Sequence, residues 1–71
     1  MAKRILLVEK ERNLARFVML ELQKENFQVD VVETGQEGLK LAKENDYDLL
    51  LLSYQLSDGK ASYFVKELSL V

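Results

Sequence analysis

Seventy-one residues without a cysteine or a histidine allow one small domain and exclude disulfides, thiolate-bound metals and histidine-based acid–base chemistry. Ten basic and twelve acidic residues give a formal charge of −2, spread along the chain, so the segment lacks the basic field that a nucleic-acid module uses and is not expected to bind nucleic acid. Apolar runs reach only four residues, which predicts no membrane span, and no signal-peptide core follows the N-terminus, so a cytoplasmic setting is expected.

Residues 3–8 form an apolar run entered through Lys3 and Arg4 and left through Glu9, Lys10 and Glu11, the pattern of a buried strand. Over residues 11–25 the period becomes helical: Leu14, Ala15, Val18, Met19 and Leu22 fall on one face, and Phe17 and Leu20 fall outside it. Phe17 and Leu20 are therefore either half-exposed packing residues or contacts for a partner. Residues 27–32 alternate apolar with polar, as a half-buried strand nearer a sheet edge does. Thr34 followed three residues later by Glu37 predicts a capping box in which the Glu37 carboxylate accepts a hydrogen bond from the Thr34 backbone N–H.

The helix so opened spans residues 35–45, with Leu39 and Ala42 inward and Gly35 and Gly38 permitting close approach to the sheet. Residues 48–53 hold four consecutive leucines, Leu49 to Leu52, and read as a parallel strand buried on both faces. A turn at Ser57, Asp58 and Gly59 then leads into a last helix over 60–70, with Ala61, Phe64, Val65 and Leu68 on one stripe. The β-α-β-α-β-α order with right-handed crossovers predicts a doubly wound parallel sheet of the α/β class, strand order 2-1-3, with helices on both faces.

In that arrangement the third strand is an open apolar edge. It is expected to be covered by more chain or by a second copy, so Leu50 and Leu52, with Phe17 and Leu20, are candidate interaction residues and a dimer is one expected form. The topology also brings Glu9, Lys10 and Glu11 beside Ser53, beyond the carboxyl ends of the first and third strands, where ligands of such sheets gather.

These segments, KRILLVEKE over 3–11, NLARFVMLELQKE over 13–25, TGQEGLKLA over 34–42 and YDLLLLSYQLSDG over 47–59, resemble the receiver domain of two-component response regulators. The similarity is greatest to the OmpR/PhoB type, and the first helix is most like that of CovR- and ArlR-type regulators. It covers all 71 residues but only the N-terminal half of a receiver. The resemblance implies a partial flavodoxin-like fold, a role in signal transduction or transcription regulation, and no enzymatic activity of the segment's own.

It also implies a degenerate site. Glu9 matches the first acidic residue of the family's metal pocket, Lys10 stands where the second is expected, and Ser53 stands at the phosphoryl-accepting aspartate. Gln55 matches the residue whose carbonyl completes the pocket, and Ser57 replaces the usual proline. Mg²⁺ wants a hard octahedral oxygen shell, so its loss is expected and no other cofactor is implied. At about 4 Å and an effective dielectric near 20, a unit-charge pair is worth roughly 4 kcal/mol, and an ammonium facing a dication is opposed by twice that. One expectation is that the Lys10 ammonium takes the cation's place between Glu9, Glu11 and the Ser53 hydroxyl. A serine without a neighbouring base is a poor nucleophile, so the module is expected to act through protein–protein contacts without phosphorylation. Two alternatives remain: a dimerising half-domain with no signalling role, and a small α/β enzyme or nucleotide-binding unit. The second lacks any glycine-rich phosphate cradle after the first strand.

Overall fold

A computed structural model describes residues 2–53, 55–56 and 58–69. Three parallel strands, β1 (Arg4–Val8), β2 (Gln28–Val32) and β3 (Leu49–Leu52), form a sheet of order β2-β1-β3. Helices α1 (Arg12–Lys24) and α2 (Gly35–Glu44) make the crossovers, and a two-stranded antiparallel pair, β4 (Gln55–Leu56) and β5 (Gly59–Lys60), precedes α3 (Ala61–Ser69). The expected strand order holds, with element ends shifted by a residue or so. The β4–β5 pair was not anticipated, because two residues a side give no periodicity to read. Ser57 and Leu70 lie outside the described residues, as do the side chains of Gln55 and Leu68.

β1 is the buried centre: Ile5, Leu6, Leu7 and Val8 are 6% exposed or less. It has a strand on each side, Leu6 pairing with Asp30 and Leu50, and Val8 with Val32 and Leu52. Leu6, Val8, Leu56 and Phe64 form the core between the sheet and α2–α3, with Leu39, Ala42, Leu50 and Leu52 packed against it. On the other face α1 buries Ala15.

The four leucines of β3 depart from expectation. Leu49 is 49% exposed and Leu50, Leu51 and Leu52 are only half-buried. Unlike β1, the other strand with a continuous apolar run, β3 has a neighbour on one side only among the described residues, and α1 leans over β1 and β2 rather than over it. The run encodes a strand made to be covered on both sides, and the described residues cover it on one. On α1, Leu14 is exposed at 47% rather than inward, beside the exposed Phe17 and Leu20, while Val18, Met19 and Leu22 are half-buried. On α3 the stripe narrows to Phe64 with half-buried Ala61, and Val65 faces solvent.

The helix ends follow local chemistry. Glu11 caps α1, its carboxylate accepting from the Asn13 and Leu14 N–H groups, and Asn26 (φ 67°) closes it in the left-handed conformation that asparagine tolerates. Thr34 caps α2, its hydroxyl accepting from the Glu37 N–H at 3.2 Å. The Glu37 carboxylate accepts from the Thr34 hydroxyl at 3.1 Å, so the box closes side chain to side chain and not through the Thr34 N–H as expected. Gly38 does lie close to the sheet, since a Cβ there would sit 2.8 Å from Val8 Cγ2. Gly35 lies against the ring of Phe64 on α3 instead.

At the N-terminal ends of the strands, Arg4 joins three elements. Its guanidinium pairs with Asp30 on β2 at 3.3 Å and lies 4.9 Å from the centre of the Tyr47 ring, and the Tyr47 hydroxyl donates to Asp30 at 2.7 Å. Partial desolvation, reinforced by the Asp30 carboxylate, raises the Tyr47 pKa and keeps the phenol protonated as the donor.

Candidate functional site at the strand ends

The carboxyl ends of β1 and β3 meet where the topology predicts. The Ser53 N–H donates to the Val8 carbonyl at 3.0 Å, and the Glu9 N–H donates to the Val32 carbonyl at 3.0 Å. Glu9 is thus fixed between the ends of β2 and β3, and Ser53 is a half-buried hydroxyl one residue beyond the last leucine.

The acidic residues beside it are occupied by backbone. Glu9 accepts from the Glu11 N–H at 3.0 Å, and Glu11 accepts from Asn13 at 3.1 Å and Leu14 at 2.7 Å. Two carboxylates that read in the sequence as an acidic cluster instead hold the loop into α1. Lys10 is exposed and forms no hydrogen bond or ion pair with a described residue, so it does not occupy a cation's place between Glu9 and Ser53. The physical reason is competition: amide donors two or three residues away satisfy both carboxylates at no cost in lysine side-chain entropy. Among the described residues no three Asp, Glu, His or Cys side chains come close enough to hold a metal ion.

Asp58, noticed in the sequence only as part of a turn, has a specific role. Its carboxylate reaches from the β4–β5 connection to the start of α2, accepting from the Gly35 N–H at 2.8 Å and the Gln36 N–H at 3.0 Å. Nothing local in the sequence reveals a contact across 23 residues. Desolvation raises the Asp58 pKa, but the amides of Gly35, Gln36 and Asp58 itself outweigh it and hold the group below its ordinary value. A depressed carboxyl pKa adds stability above the unfolded-state value that is lost as pH falls through the folded-state value. Asp58→Asn is therefore expected to cost about 1 kcal/mol at neutral pH, because the amide keeps one acceptor oxygen but turns an NH2 donor toward the second backbone N–H. The difference from the unchanged chain should shrink as pH falls below the ordinary aspartate range and then through the still lower folded-state value. Urea unfolding midpoints at neutral and acid pH measure both, and a pH-independent difference would remove the charge from the explanation.

No family model matches the sequence. It is 53% identical over 53 residues to the response regulator ArlR of Staphylococcus saprophyticus, covering 75% of this chain and 24% of that protein. Among solved structures, the inactive form of the regulatory domain of the repressor of iron transport regulator, RitR, is 56% identical, with a TM-score of 0.89 over 99% of this chain and 57% of that one. The response regulator TrrA of Thermotoga maritima, solved with Mg²⁺ and BeF, is 32% identical, with a TM-score of 0.91 over 96% of this chain and 59% of that one. The chain thus spans about a quarter of its curated relatives' length and somewhat more than half of a receiver.

A three-stranded parallel sheet of order β2-β1-β3, flanked by helices and carrying its polar residues at the strand ends, defines a flavodoxin-like unit of the receiver class. With this sequence identity, the chain belongs to the receiver domains of OmpR-type response regulators. No helix among the described residues is long and apolar enough to cross a membrane.

Proposed function

We propose that this segment is a receiver-like signalling module that works without aspartyl phosphorylation and acts through protein–protein contacts. The observation that carries the reading is the pairing at the strand ends: Ser53 is held by the Val8 carbonyl at the β3 terminus, with Lys10 in the neighbouring loop. A carboxylate at position 53 would be a nucleophile by its charge alone, whereas a hydroxyl needs a base, and the chain has no histidine. Mg²⁺ fits the donor set poorly: Glu9 and Glu11 are engaged with backbone amides, Lys10 brings a positive charge, and Ser53 offers one neutral oxygen. In this reading no Mg²⁺ is bound.

Another solved structure 56% identical to this chain is described as one of a novel family of redox sensors in the streptococci evolved from two-component response regulators. That description supports a lineage in which the receiver fold outlives its phosphoryl chemistry. The present 71 residues contain no cysteine, so thiol chemistry is not a property of this segment.

Incubation of the full-length protein with acetyl phosphate and Mg²⁺ tests the proposal. The expected intact mass is unchanged, while a receiver with an aspartate at the matching position gains a phosphoryl group under the same conditions. A phosphoryl adduct on the unchanged protein would refute it. A second reading, assembly through the edge of β3, is favoured by the exposure of Leu49 and the half-burial of the other three leucines. It predicts self-association by light scattering that Leu49→Lys abolishes.

A further inference from the structure

A groove of about 210 Å³ lies between α1 and the edge strand β2. Ala15, Met19 and Val31 form its floor, and Glu9, Glu33, Arg12 and Arg16 stand at its rim. Small-molecule pockets enclose roughly 300–1,000 Å³, so this one suits a single apolar side chain better than a free ligand. Its residues come from α1, β2 and the loops that follow β1 and β2.

The rim charges are not equivalent. Arg12 is paired with Glu33 at 3.0 Å, and Glu9 accepts from the Glu11 N–H. Of the three arginines in the chain, Arg4 and Arg12 hold carboxylates, and Arg16 makes no ion pair with a described residue. An exposed guanidinium at the mouth of an apolar groove matches a carboxylate next to an apolar side chain. The strand beside it also has a free edge, since β2 pairs only with β1 within its sheet. Residues Val29 and Val31, which pair with Ile5 and Leu7, lie on the face that carries α1, so a segment added to this edge would direct every second side chain toward the groove.

We propose that this groove docks an extended acidic–apolar segment of a partner protein. One apolar side chain rests on Ala15, Met19 and Val31, and a carboxylate two residues away, on the same face, pairs with Arg16. Glu9 borders both the groove and the strand ends, but the docking contacts use Ala15, Met19, Val31 and Arg16 and neither Ser53 nor Lys10, so the proposal holds whether or not residue 53 accepts a phosphoryl group.

The experiment uses the full-length protein with labelled methionine and valine methyls and arginine side-chain nitrogens. It is titrated with a blocked peptide of sequence Glu-Ser-Leu-Ser and with its Lys-Ser-Leu-Ser counterpart. The glutamate peptide is expected to shift the Met19 and Val31 methyls and the Arg16 Nε, and the lysine peptide to bind about tenfold more weakly, as the loss of a charged hydrogen bond implies. Arg16→Glu, a change at an exposed position, should reverse the preference while leaving the remaining methyl signals in place. Equal binding of the two peptides, unchanged preference in Arg16→Glu, or the absence of groove shifts would each overturn the proposal. So would shifts of the same methyls on raising protein concentration without peptide, which would make a second copy the occupant.

Discussion

Phe64→Ala is expected to cost about 3–5 kcal/mol, the range for removing a buried phenyl ring. A chain of this size holds roughly 4–11 kcal/mol in all, so the variant should be largely unfolded near its former midpoint of denaturation. The ring is 1% exposed and joins three elements: it sits in the core with Leu6, Val8 and Leu56, fills the space that a Cβ at Gly35 would need, and lies 3.3 Å from where one at Gly59 would be. Gly35→Ala presses a methyl group into the same ring and is expected to cost about 1–3 kcal/mol by overpacking. The two positions are therefore coupled. Gly35→Ala combined with Phe64→Leu should lose less than the sum of the single changes, by about 0.5–3 kcal/mol in a double-mutant cycle. Strict additivity in urea or thermal unfolding would show that the ring and the first turn of α2 are not in contact.

The second large effect concerns chemistry. Ser53→Asp alone is expected to leave the full-length protein a poor phosphoryl acceptor, and Lys10→Asp with Ser53→Asp to raise uptake from acetyl phosphate from undetectable to readily measured, in the presence of Mg²⁺ only. The double change turns one neutral oxygen and one ammonium into two carboxylates around the end of β1. Because Lys10 is exposed, solvent screens its charge, and the roughly 4 kcal/mol of an unscreened pair is an upper bound. The decisive change is the gain of anionic oxygen ligands rather than the removal of repulsion. Intact-mass measurement with and without Mg²⁺ separates the cases. Full uptake by Ser53→Asp alone would show that Lys10 does not hinder the metal, and no uptake by the double variant would place the defect elsewhere in the domain.

The strands and the first two helices were legible because their signals are local. A continuous apolar run marks β1, alternation marks β2, and a threonine three residues before a glutamate marks the start of α2. Burial was less legible. The four leucines of β3 promise a central strand, but exposure depends on what lies alongside, and the sheet order leaves one side open. Leu14 misled for the same reason, since a helical stripe specifies a face and not the width of the surface it meets. At the site, the positions of Glu9, Lys10 and Ser53 could be placed from topology, whereas their partners could not. The backbone amides that occupy Glu9 and Glu11 carry no sequence signature, and neither does the contact from Asp58 to α2. The groove beside α1 went unnoticed because Arg16 and Val31 belong to different periodicities and meet only in three dimensions.

The central position of β1 also bears on the order in which the protein is made. Its four buried residues leave the ribosome well before the strand that covers one side of them: the Arg4 N–H bonds to Asp48, 44 residues downstream. At translation rates of roughly 5–20 residues per second, that interval lasts roughly 2–9 s. During it the most apolar segment of the core has no β3 to pair with, so a nascent chain that has passed α1 but not reached the leucine run is the species most exposed to chaperone capture and aggregation.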